Sequence, residues 1–283
     1  MHLKHHRQVE LERPKTLGPQ SARLVAFLHE RGRTLFNHAD VEDVLSLAPK
    51  SARNLVAGLV NRGLATRLKP GLFILVPFEL GREREYLGNP YVVARELADT
   101  ADYYVSHASA MDLHQMVTQP QLAVFVTSPK AIRPRTVLGT EFRFVRCKPE
   151  DMFGIVELWA TKTGRVRVSD LERTVLDCLK QPEHCGGFTE IAKGFWMRRD
   201  TIAIPKLVDC ALRLGIGAVM RRLGFLLETF EISAPAELER LRSELTATYA
   251  LLDPLMPSEG PWLSRWRLRV NVEPEELRAI VST

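Results

Sequence analysis

The chain has 283 residues, 45% hydrophobic and 26% charged, with a formal net charge of +5, a composition that excludes collagen-like and compositionally disordered classes. Its longest apolar runs, LFILVPF at 72–78 and LVAGLV at 55–60, fall well short of the roughly 20 residues that cross a bilayer, so no membrane partner is expected. Four cysteines without a CxxC pair point to reduced thiols and a cytoplasmic location, and the length favours two domains.

Residues 1–17 are polar and aperiodic and are expected to form a flexible arm, in which Lys4, His5, His6 and Arg7 have the composition of a minor-groove contact. Pro19 opens a first helix that Gly32 closes. TLF at 34–36 suggests a short strand, and Asp40 is placed to cap a second helix running to about Leu45. A third helix is predicted over KSARNLVAGLVNRG, 50–63. Its Ala52, Leu55, Val56 and Leu59 fall at i, i+3, i+4 and i+7 and form a buried stripe, with Gly63 as the stop. The opposite face presents Lys50, Ser51, Arg53, Asn54, Ala57, Gly58 and Asn61. Glycine inside a helix costs about 1 kcal/mol relative to alanine, so Gly58 implies a close approach, either of a partner or of the first helix. LATRL and LFILV then form a hairpin through Lys69-Pro70-Gly71, with a loop expected to be longer than the tightest hairpin turns.

Three helices followed by a two-stranded wing is the order of a winged helix-turn-helix, predicted over 18–78. The charge supports that reading. Residues 1–80 carry 12 basic and 7 acidic residues whereas 81–283 carry 27 of each, and between Ser46 and Phe78 there are five basic residues and no acidic one. A solvated basic face is the other reading of the charge taken alone. If the helix reads DNA, Arg53 pairs with guanine and Asn54 with adenine, flanked by Lys50 and Ser51 at the helix start and Asn61 near its end. Arg62, Arg67 and Lys69 would lie on phosphates.

A charged linker is predicted over 79–89. Beyond it, residues 90–283 read as a mixed α/β domain, strand-rich to about 169 and mainly helical after, with helices near 170–181, 187–199, 203–214, 217–230 and 236–250. A final strand is predicted at 266–272, followed by a short helix. Groups that suggest chemistry do not assemble into a motif. His107 and His114, seven apart, share a helix face and with Asp112 suggest a metal site, but they lack zinc-type spacing, and Cys178, His184 and Cys185 lack further ligands. GIGAVMRRLG does not follow a strand, which removes a dinucleotide reading. Glu157, Lys162, Asp170, Glu172 and Asp177 would have to converge for a nuclease, and Ser169 through Glu172 has the form of a helix-capping box. No catalytic residue, metal or cofactor is therefore predicted, and the chain is expected not to be an enzyme. A ligand-responsive regulator or, less favoured, a DNA-targeted nuclease is the alternative.

The order of LVNRGLATRLKPGLFIL, YYVSHASAMDLH, VFVTSPK, FRFVRC and VSDLERTVLDCLKQPEHCGGFTEIAKGF resembles the abortive-infection AbiE antitoxins, the AbiEi-like transcriptional regulators of type IV toxin-antitoxin systems. The resemblance covers roughly 20–230, and ERTVLDCL followed by Gly186-Gly187 is its most specific part. It implies an α+β protein whose winged helix binds inverted repeats in its own operon promoter and represses it. The second domain, 90–283, would counter a nucleotidyltransferase toxin, with or without a stable complex.

Overall fold

The structure, a computed structural model, describes residues 15–117 and 122–281; Lys4, His5, His6 and Arg7 of the expected arm lie outside them. It is a mixed α and β protein with eleven α-helices among the described residues, and it divides into two compact units, Met1–Asn89 and Pro90–Thr283.

The first unit opens with helix α1 (Pro19–Glu30), whose proline occupies the first turn, where its missing N–H costs nothing. Strand β1 (Leu35–Asn37) leads into α2 (His38–Leu45). The cap of α2 is Asn37 and not Asp40: the Asn37 side chain accepts the Asp40 N–H at 2.9 Å, and Asp40 accepts the Asn37 N–H at 2.8 Å. Both are cap-forming residue types three positions apart, and the reciprocal box uses the earlier one as the cap. Helix α3 (Pro49–Asn61) follows, then β2 (Ala65–Lys69) and β3 (Leu72–Leu75). Strand β3 lies between β1 and β2 in an antiparallel sheet of order β1-β3-β2, which explains why its four residues are all buried. The loop joining β2 to β3 is only Pro70-Gly71, shorter than expected. A register shift between Arg67 and Lys69 adjusts the strand, and Gly71 adopts φ +81°. Leu24, Leu28, Phe36, Val41, Ala52, Val56, Leu59 and Phe73 share one core. The stretch expected as a linker is strapped to this unit. Arg84 donates to the Asn61 carbonyl, the Tyr86 N–H donates to Thr66 Oγ1 at 2.9 Å, and the Arg84 stem lies against Gly63.

The second unit begins with α4 (Pro90–Ala98), β4 (Tyr104–Val105) and α5 (His107–Leu113). Strands β5 (Ala123–Ser128), β6 (Arg135–Val137), β7 (Thr140–Arg146), β8 (Ile155–Trp159) and β9 (Arg165–Ser169) complete a six-stranded mixed sheet of order β6-β7-β5-β4-β9-β8. Strand β6 was not expected; its three residues follow Pro134 and carry no period long enough to read. Helices α6 (Leu171–Lys180), α7 (Phe188–Arg198), α8 (Ile204–Leu214), α9 (Gly217–Thr229) and α10 (Pro235–Ser243) follow. The chain closes with β10 (Ala250–Leu251), β11 (Trp262–Leu263), β12 (Leu268–Arg269) and α11 (Pro274–Val281).

Three expectations are corrected here. Helix α6 is capped by Asp170, which accepts the Arg173 N–H at 2.8 Å, so Glu172 is not the distal member of a Ser169 box. Helix α10 stops at Ser243 and does not reach 250, because Thr246 and Thr248 bind Arg221 of α9 instead. The strand expected at 266–272 is reduced to Leu268–Arg269: Arg267 takes φ 49° and Trp266 enters the core.

Candidate nucleic-acid interface

Helix α3 has two chemically distinct sides. Ala52, Val56 and Leu59 are buried, while Lys50, Ser51, Arg53, Asn54, Ala57 and Asn61 are exposed. Lys50, Arg53, Asn54, Ala57 and Asn61 fall at i, i+3, i+4, i+7 and i+11 and therefore share a face. The N-cap is Ala48, which contributes no side-chain hydrogen bond. A helix start without a side-chain cap, beside Lys50 and Ser51, is a setting that favours an anionic partner.

The three residues expected on phosphates differ in their surroundings. Arg67 on β2 is exposed, and Lys69 is half-buried beside the Pro70-Gly71 turn. Arg62 turns back toward α1, its Nη2 donating to Ser21 Oγ at 3.2 Å. It braces the end of α3 as well as carrying charge. Arg84, which no sequence signal singled out, holds the Asn61 carbonyl at the same end; its position in a charged, aperiodic stretch hides that role.

A Cβ built on Gly58 would meet only the Arg62 guanidinium, at 3.9 Å. Close packing against α1 therefore does not explain this glycine. The exposed Ala57 beside it keeps this part of the helix low.

The second unit disperses the groups that had suggested chemistry. His107 is buried with Nδ1 2.8 Å from Ser106 Oγ, His114 Nε2 lies 2.7 Å from the Ser169 carbonyl, and Asp112 accepts from the Tyr91 hydroxyl. Cys178 and Cys185 are buried in the core, and burial pushes the Cys178 thiol up. Among the described residues no group of three or more His, Cys, Asp or Glu could hold a metal. Glu157 pairs with Arg165, whereas Asp177 pairs with Arg173 at 2.9 Å. Asp170 and Glu172 share Lys206, at 2.8 and 2.7 Å, and hold its ammonium above the usual lysine range.

The ERTVLDCL stretch is buried almost throughout. Glu172 also accepts the Ala203 N–H at 2.9 Å, and Arg173 donates to the Tyr104 hydroxyl at 3.0 Å. Gly186 and Gly187, at φ +80° and +95°, form the turn into α7, where Asp253 accepts the Phe188 N–H at 2.7 Å. A side chain at Gly187 would collide with that carboxylate. These residues therefore join the helices of the second unit to its sheet and closing segment.

No helix among the described residues is long and apolar enough to cross a membrane. The sequence matches no family model and no curated protein. The fold is similar to the crystal structure of the RV2827C protein from Mycobacterium tuberculosis, with TM-score 0.68 and 16% identity over 95% of this chain and 97% of that one.

Proposed function

We propose that the first unit is a winged helix-turn-helix that binds double-stranded DNA, and that the chain is an AbiEi-like antitoxin. In this reading it represses its own operon promoter, and residues 90–283 counteract a cognate nucleotidyltransferase toxin in the cytoplasm, without catalysis by this chain. The observation that carries the DNA half is the exposed face of α3. An uncapped helix start, Lys50, Ser51, Arg53 and Asn54 stand on one side of a helix whose other side is buried, followed by a hairpin bearing Arg67 and a half-buried Lys69. The antitoxin half is supported by the ordered resemblance from 20 to 230.

Titration of promoter duplex at several salt concentrations tests the first half. With Arg62, Arg67 and Lys69 on phosphates, log K should fall against log salt with slope about −2.7, from about −0.9 per contact. Arg53→Ala should relax preference for the operator by about 1–3 kcal/mol. A slope near zero overturns the assignment. Co-expression with the neighbouring operon gene tests the second half: growth is restored if residues 90–283 counter a toxin, and continued growth arrest with the full chain present rules that role out.

A further inference from the structure

The β8–β9 hairpin lies at one end of the six-stranded sheet, with β8 at the edge. Its antiparallel register pairs Glu157 with Arg167 and Trp159 with Arg165. Side chains two apart on a strand share a face, and directly paired residues do as well. All four therefore project from one side of the hairpin. Alternate positions on the other side include Val166 and Val168, which are buried. On the polar side, Arg95, Tyr103, Glu157, Trp159, Arg165 and Arg167 line an open cleft of about 590 Å³.

The side chains in this cleft have separable tasks. Trp159 is 60% exposed, an unusual position for so large an aromatic surface. The Arg165 guanidinium lies 4.2 Å from the centre of its ring, and its Nη1 is 3.5 Å from Glu157 Oε2. Arg167 directs Nη1 to the Ala101 carbonyl. Arg95 is committed to Glu96 and, at 2.9 Å, to the Arg165 carbonyl, so it fixes β9 and adds positive field. A guanidinium carries five N–H donors, and the bonds made by Arg165 and Arg167 leave donors for a ligand.

We propose that this cleft is a nucleotide-binding subsite, with the base stacked on the face of Trp159 away from Arg165, its amino edge accepted by Glu157, and the phosphate held by Arg167 with Arg165 adding positive charge. An aromatic platform beside arginines is the combination that single-stranded nucleic acids use. A nucleotide fits better than an acidic peptide, because aspartate and glutamate side chains offer no aromatic face to stack on the indole and no amino group for Glu157 to accept from. The site differs from the duplex interface of the first unit, since paired bases are not free to stack on a side chain, and it does not rest on that interface.

The test uses the full chain carrying Lys50→Ala and Arg53→Ala, which weakens the α3 face. Binding of a labelled ten-nucleotide single-stranded RNA is followed by fluorescence anisotropy, and binding of GMP and AMP by calorimetry. Saturable binding is expected, weakened about tenfold by Trp159→Ala and largely kept by Trp159→Phe. Arg167→Gln should flatten the salt slope for the oligonucleotide by about 0.7. Thermal unfolding checks that each variant remains folded. Binding of the mononucleotides identifies a free nucleotide as the ligand, and binding of the oligonucleotide alone identifies a strand; either supports the subsite. No saturable binding of any of these probes overturns it. So does an affinity unchanged by both Trp159→Ala and Arg167→Gln, or equal competition by a polyglutamate peptide.

Discussion

His107 combines three constraints in one residue. It is fully buried, takes a left-handed backbone conformation at φ 52°, and sits edge-on to His184 with ring centres 5.2 Å apart. Its Nδ1 contacts Ser106 Oγ, which also receives the Thr127 hydroxyl at 2.8 Å. Burial, followed by the neighbouring His184, lowers its pKa to about 3. An unfolded histidine titrates near about 6.5, so the unfolded chain binds the extra proton first. The stability this residue contributes is complete above about pH 6.5 and is lost as pH falls toward 3. The urea midpoint should therefore drop between pH 7 and pH 4. In His107→Asn, a residue that tolerates this backbone region, the drop should be smaller, and an equal drop in both proteins refutes the assignment. From spacing alone His107 shared a helix face with His114. That periodicity could not show that one histidine enters the core while the other reaches the Ser169 carbonyl.

At the scale of elements, two helical glycines have opposite explanations. In α9, a side chain on Gly224 would overlap the indole of the fully buried Trp266, so this glycine is required by packing within the second unit. In α3, Gly58 has room for a methyl group. Gly58→Ala should raise the free energy of unfolding by about 1 kcal/mol. If the α3 face presses against DNA, the same substitution should weaken promoter binding. Chemical denaturation and duplex titration measure the two effects separately, and a stabilised variant with undiminished affinity would show that close approach to DNA is not the reason for the glycine. The amphipathic stripe of α3 was legible because its period is local. The end of α10 was not, because the residues that stop it are recruited by Arg221, more than twenty positions earlier in the chain.

At the scale of the molecule, the boundary after Asn89 separates two units that each contain a core. Fragments 1–89 and 90–283 should each unfold cooperatively. The first should retain duplex binding, and the second should retain nucleotide binding that Trp159→Ala weakens. A fragment 1–89 that folds, shown by circular dichroism, but does not bind duplex would contradict the proposed division of roles. Cutting at about residue 79 should destabilise the first unit, because it removes the Arg84 and Tyr86 contacts.

The sequence by itself determined most helices, the hairpin after α3, the concentration of basic charge before Phe78 and the absence of long apolar spans. Each of these depends on composition or on periods of a few residues. Tertiary structure decided which polar groups are interior. It placed Arg173 against Asp177 and Tyr104, set Arg222 on the carbonyls of Leu179, Leu251 and Leu252, and brought Asp253 to the start of α7. It also paired Trp159 with Arg165 across two strands. Burial and cross-strand register depend on which distant segments meet, and a polar side chain looks the same in sequence whether water or another part of the chain satisfies it.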